Sequence, residues 1–189
     1  MEGNVGGASG SPKHNAGSPA TDAGRASHER QRVTIYTDGA CGPAPGPGGY
    51  GAVLLHDKHR RELAGGFRLT SSHRIAIIAA IRALDSLKPA CKVTLYSDSE
   101  YMVKAMRLDW VKRWRRRGWR SDKREPVANT DLWKRMLALC EKHQVEFVAV
   151  EGHAGHPEIE RCAQLAYAAL AHVDRLEEDA GYAPKESSA

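Results

Sequence analysis

Arg32-Val33-Thr34-Ile35-Tyr36-Thr37-Asp38-Gly39 is the stretch on which the fold turns. Its β-branched and aromatic residues read as a strand, ended by Asp-Gly and by the Gly/Pro-rich run from Cys41 to Gly51. Val33 and Ile35 fall on one face of that strand, and Thr34, Tyr36 and Asp38 on the other. A carboxylate therefore stands at the end of a central strand, just before a loop suited to tight turns. Asp38 can open an Asx-type turn or do chemistry there. The rest of the chain decides between the two.

Working outward, Tyr50 to Leu55 reads as a second strand, His56 to Arg60 as a polar turn, and Glu62 to Phe67 as a weaker third strand at a sheet edge. Short links between three strands imply an antiparallel meander. Then the hydrophobic period changes. Ser72 caps a helix from about His73 to Leu87, with Ile77, Ile81 and Leu84 on one face, widened by Ile78 and Ala79, and with Pro89 as the stop. Val93-Thr94-Leu95-Tyr96-Ser97-Asp98 is a fourth strand that also ends in an aspartate. A right-handed crossover would lay it parallel to the first strand and bring Asp38 and Asp98 side by side. The carboxyl ends of parallel strands are where open α/β sheets carry their sites. Helices follow over Ser99–Met106, Trp110–Arg117 and from Asn129 or Thr130 to about His143. Gln144 to Val150 alternates as a fifth strand, and Pro157 starts a last helix that runs to about Asp174.

The chain has 189 residues, of which 41% are hydrophobic, enough for one domain with a core. Residues 1–31 are rich in Gly, Ser, Ala, Asn and Pro and read as a disordered tail. Glu2, Asp22 and Glu29, with no basic amphipathic helix, argue against a transit peptide. The folded domain spans 32–182, and 183–189 is a second short tail. No apolar run is long enough for a bilayer, so no membrane partner is expected. Cys41, Cys91, Cys140 and Cys162 are scattered, with no zinc spacing, and read as reduced thiols of a cytoplasmic protein. No obligate protein partner is evident, and a monomer is expected.

The formal net charge is +5, and the positive charge is concentrated locally. From Arg107 to Arg124 nine basic residues face only Asp109 and Asp122, with Trp110, Trp114 and Trp119 interleaved. Such a segment is either a solvated helix whose tryptophans anchor it to the core, or a phosphate-tracking surface with aromatic contacts to sugars or bases. The near absence of opposing charge favours the second reading, with nucleic acid as the partner.

Taken together, these motifs resemble type 1 ribonuclease H of the bacterial-like class. The resemblance is carried by Tyr36 to Cys41, Pro45 to Ala52, Tyr96 to Tyr101, Trp114 to Trp119, Asn129 to Trp133 and Gly152 to Pro157, in that order. It implies an α/β ribonuclease H-like fold, with a five-stranded mixed sheet (an antiparallel meander plus two parallel strands) flanked by helices. It also implies Mg²⁺- or Mn²⁺-dependent endonucleolytic cleavage of the RNA strand of RNA–DNA hybrids. Of four family carboxylates, the first is carried onto Asp38 and the third onto Asp98. His153 stands where the family has a histidine that assists product release or proton transfer. Nucleic-acid contacts are carried onto Cys41, Ser72, His73 and Asn129, and onto the arm residues Trp110, Lys112, Arg113, Trp114, Arg115, Arg116, Arg117 and Trp119.

The chain also departs from the family pattern. The positions of the second and fourth carboxylates hold Ala76 and Ala163, and four positions usually held by Asn are Ala44, Ile159 and the pair Ser72-His73. An alanine methyl offers a cation neither a ligand nor a charge, so metal binding and hydrolysis are both expected to be weakened or lost. The expectation is a hybrid-binding protein with a crippled centre. The alternative is an active hydrolase with a rearranged site of Asp38, Asp98 and Glu160, the last lying one helical turn before Ala163, with Glu158 as a weaker replacement ligand.

Overall fold

The computed structural model describes residues 30–43, 45–151 and 155–182. Strand β1 (Arg32–Cys41) pairs antiparallel with β2 (Gly46–His56), which pairs antiparallel with β3 (His59–Thr70). Strand β4 (Lys92–Ser97) runs parallel to β1, and β5 (Gln144–Ala149) runs parallel to β4. The order is β3-β2-β1-β4-β5, with β3 at an edge as its weak pattern implied. The five-stranded mixed sheet expected from the sequence is the one observed.

Five helices flank it: α1 (Ser72–Asp85), α2 (Glu100–Arg107), α3 (Trp110–Arg116), α4 (Thr130–Lys142) and α5 (Pro157–Ala171). Helix α1 packs between the sheet and α4. That is why almost every residue from Arg74 to Leu84 is buried, and not only the isoleucine face. Ile35, Leu54, Ile77, Leu84, Leu95, Met102, Trp133 and Met136 form the main core. Each such side chain contributes about 1.5–3 kcal/mol on burial. Helix α5 covers β1 to β3, mostly β2.

Several boundaries differ from the sequence reading for physical reasons. The Gly/Pro run is mostly strand: β2 begins at Gly46, not Tyr50, because helix α5 rests directly on it. A Cβ on Gly51 would come within 2.1 Å of the Cys162 carbonyl oxygen, so glycine serves close approach there. Strand β3 is longer than expected, and only Asp57 and Lys58 make the turn before it. Ser71, not Ser72, holds the cap position of α1, and its side chain makes no capping bond. Helix α5 stops at Ala171, followed by a short 3-10 turn at Val173–Arg175. His153, Ala44 and nearly all of both expected tails lie outside the described residues.

Candidate active site

Strand β1 keeps two partners only part of the way. Its parallel pairing with β4 ends at Thr37 opposite Ser97, while its antiparallel pairing with β2 continues through Asp38–Gly51 to Cys41–Gly48. Asp38 and Asp98 are the next residues on the two parallel strands, so the fold brings them to one level, as the crossover argument required. The turn reading of Asp38 fails, because the strand runs on past it. Asp38 is 4% exposed and accepts a 2.6 Å bond from the Gly39 amide. Beyond Asp98 the chain turns straight into α2, whose cap Ser99 accepts from the Met102 amide. Two residues back, on the same face, the Tyr36 and Tyr96 rings stack at 4.9 Å and 13°.

The alanine positions meet this level from the two flanking helices. Helix α1 touches β1 at Gly39, where an added Cβ would lie 2.9 Å from Ile75 Cγ2 and 3.3 Å from the Ala76 amide. Ala76 is buried there. On the other face, Cys162 Sγ donates to the Tyr36 carbonyl at 3.3 Å, and Ala163 follows it. Burial pushes the Cys162 thiol up to about 12, and the negative charges of Asp38 and Glu158 add to the shift. The strand ends thus bring two aspartates to one level, with Ala76 approaching from α1 and Cys162, next to Ala163, from α5. Among the described residues no three His, Cys, Asp or Glu side chains stand where they could share a metal ion. This donor set does not fit a two-cation centre, which needs several anionic oxygens around each ion. Glu160 is exposed, whereas Glu158 is half-buried.

The two aspartates stand at the carboxyl ends of β1 and β4, a row of strand ends here termed the ridge. A cavity of about 550 Å³ lies at the far end of the sheet, lined by Val33, Leu54, His59, Leu87 and Cys91, and it contains neither carboxylate.

The basic arm is built from α3 and the loop that follows. Asp109 (φ 56), Gly118 (φ 65), Trp119 (φ 65) and Arg124 (φ 64) take left-handed conformations at its bends. The loop closes through the Val127 amide on the Trp119 carbonyl and the Ser121 amide on the Glu125 carbonyl. The tryptophans are half-buried and pack inward: Trp114 lies 5.9 Å from the buried Trp133 in an edge contact, and Trp110 lies 6.4 Å from Trp114. Lys134 sits over the Trp119 ring. The tryptophans therefore anchor the arm to the core, and its outer surface is arginine. Some of those charges are matched: Lys112 by Asp109, Arg115 by Glu141 and Arg117 by Asp122. Arg113 and Arg116 lie in the field of Asp109, whose carboxyl they help hold low.

The other positions carried over from the resemblance lie between arm and ridge. The Cys41 thiol hydrogen-bonds with Ser72, the His73 ring lies 4.7 Å from Tyr101, and Asn129 Oδ1 accepts from Arg74 at 3.5 Å. Arg74, which the sequence reading passed over, holds this surface together. It is 2% exposed and donates to both oxygens of Asp131 (2.9 and 2.6 Å) and both of Asp179 (2.6 and 2.8 Å). Thr70 adds a 3.2 Å bond to Asp179. The signal in the sequence was only a lone arginine in an otherwise apolar helix face.

The strand order β3-β2-β1-β4-β5, with the parallel β1–β4 pair at its centre, defines an α/β fold with a mixed sheet. The sequence model of the RNase H family matches residues 30–171, and the chain belongs to that family. A protein named ribonuclease H from Syntrophus aciditrophicus is 52% identical over 153 residues, covering 81% of this chain and 88% of its own. Among solved structures, LC9-RNase H1, a type 1 RNase H with the type 2 active-site motif, superposes with a TM-score of 0.65 at 29% identity, covering 74% of this chain and 72% of its own. LC11-RNase H1, solved in complex with an RNA/DNA hybrid, shares the fold with a TM-score of 0.58 at 21% identity, covering 74% of this chain and 96% of its own.

Proposed function

We propose that this chain binds RNA–DNA hybrids through its basic arm and the Cys41–Ser72–His73 side of the sheet, and that hydrolysis at the Asp38–Asp98 ridge is strongly impaired. The observation that supports this reading is the pairing of an arm rich in exposed arginines with a strand-end level that has Asp38 and Asp98 but Ala76 and Ala163 on the flanking helices. In the family reaction, divalent cations activate a water and stabilise the leaving oxygen. Here Asp38 and Asp98 are the residues that would hold such an ion, Mg²⁺ or Mn²⁺, and the binding is weak because the remaining ligands are missing. The chain's own contribution is to neutralise phosphates with Arg113, Arg116 and Lys123 and to seat the hybrid over the ridge. Loss of buried acids also removes mutual repulsion, which favours the fold.

A second reading is that the chain still hydrolyses hybrids, and the relatives named ribonuclease H favour it. It would recruit Glu160 or Glu158 to the ridge. The exposed position of Glu160 and the engagement of Glu158 by Arg60 weigh against it. The two readings separate by a binding titration of a labelled hybrid in EDTA, followed by addition of Mg²⁺ or Mn²⁺. Tight, salt-dependent binding without product supports the first. Absence of binding refutes it, and turnover above that of Asp38→Asn establishes the second.

A further inference from the structure

The chain after α5 returns across the molecule as a strap. Leu176 is buried beside Gly66. The Glu177 amide donates to the Gly66 carbonyl at 2.8 Å, and the Arg68 amide donates to the Glu177 carbonyl at 2.9 Å, so the strap pairs with the outer edge of β3. The Glu177 carboxylate also accepts from Arg82 of α1 at 2.7 Å. Beyond it, Asp179 reaches Arg74, and its side chain is 6% exposed. Gly181 then lies directly on the Arg74–Asp131 pair: a Cβ there would come within 2.3 Å of Asp131 Oδ2 and 2.4 Å of Arg74 Nη2.

A guanidinium has five N–H donors and no acceptor. Nε and Nη2 of Arg74 donate to the two oxygens of Asp179, and Nη2 and Nη1 donate to the two oxygens of Asp131. Two bidentate pairs fix the plane of the group, so the remaining Nη1 hydrogen has a fixed direction. It meets Asn129 Oδ1 in a long bond of 3.5 Å. Only the oxygen of a side-chain amide can face a donor, so this contact decides which end of the Asn129 amide turns inward and leaves its nitrogen on the opposite side. Asn129 is half-buried, with a left-handed backbone (φ 58), at the cap of α4 and two residues after Val127, which closes the arm. A donor at that point extends the row of arm donors and suits a phosphate oxygen. We propose that Asp179 is a positioning residue for nucleic-acid recognition: the strap holds Arg74, and Arg74 turns the Asn129 amide so that its nitrogen donates to a phosphate of the bound strand. The proposal rests on the reading of this surface as one that binds a hybrid.

The test is a cycle of Asp179→Asn and Asn129→Ala in the full chain, read by hybrid titration in EDTA at a temperature where circular dichroism shows each protein folded. Each single change should weaken binding by about 3–10-fold, the worth of one hydrogen bond. The double variant should bind no more weakly than Asn129→Ala, because the strap acts through that amide. Arg116→Ala, remote from the relay, should instead multiply the loss caused by Asp179→Asn. A strap that only supports the fold would lower the fraction of competent protein and leave Kd unchanged. The proposal is overturned if Kd is unchanged in Asp179→Asn, if its loss multiplies that of Asn129→Ala, or if Arg116→Ala adds nothing to it. Asn129→Asp leaves the strap untouched and keeps an acceptor for Arg74 but has no N–H to donate. It should lose at least as much as Asn129→Ala, and retained affinity would overturn the proposal whatever the stability of the Asp179 variant. A further readout needs no nucleic acid: the side-chain amide resonances of Asn129 should shift and lose order in Asp179→Asn, and unchanged resonances would overturn the relay. Failure of the unaltered chain to bind a hybrid refutes the parent proposal, and the amide resonances still decide the relay.

Discussion

The basic arm and the strand-end ridge were built by the same chain but are in different condition. The arm has inward tryptophans, closed loop hydrogen bonds and outward arginines. The ridge has Asp38 and Asp98 at one level, with Ala76 and Ala163 on the two flanking helices. Position and chemistry are thus separable. Strand pairing sets Asp38 and Asp98 at one level whatever their side chains are, and only the identity of the side chains decides whether a cation is held. A binding surface tolerates such a loss, because electrostatic affinity is spread over many phosphates, whereas a metal centre does not.

The comparison can be broken most severely at the ridge. The double substitution Ala76→Glu with Ala163→Asp should raise cleavage of a labelled hybrid by about 10³-fold or more, because two missing ligands return together. If cleavage stays absent, the damage extends past the ligands. The link between the two regions comes next. Asp179→Asn leaves the buried Arg74 with one carboxylate in place of two and should cost about 2–4 kcal/mol in urea unfolding. A change within the error of the measurement would show that Arg74 does not hold the surface together.

The arm offers a finer test. Arg116→Ala, at an exposed residue of the arm, should weaken hybrid binding by about 3–10-fold and reduce the salt slope by about one. Arg115→Ala should do less, because Arg115 must first leave Glu141. Equal effects would erase that ranking. The smallest effect lies in the core. His143 is fully buried, and burial, with Lys142 and Arg30 nearby, lowers its pKa from 6.5. The unfolded chain therefore takes up a proton that the folded one resists. Stability should be complete above pH 6.5 and should fall as the pH drops below it, by at most about 1.4 kcal/mol per pH unit. His143→Asn should flatten that slope.

Much of this architecture was legible in local pattern. The alternation of Arg32–Asp38 and Val93–Asp98 gave the parallel pair, and Pro157 gave the start of α5. Patterns failed where the cause is distant in sequence. Gly46–Gly51 looks like a turn until a helix more than a hundred residues later is seen lying on it. Arg74 gives no hint of Asp131, 57 residues on, or of Asp179, 105 residues on. The Arg60–Glu158 pair, 98 residues apart, is equally silent. The inward packing of the arm's half-buried tryptophans is not legible either, because composition reports what residues are present, not which way they face.

Under the proposed reading the molecule binds an RNA–DNA hybrid without cutting it. Single-turnover incubation of a 5′-labelled hybrid with excess protein, in Mg²⁺ and in Mn²⁺, decides the point. The hybrid should be retained in the complex with its RNA strand intact, indistinguishable from the Asp38→Asn protein. RNA fragments accumulating faster than in that control would contradict it.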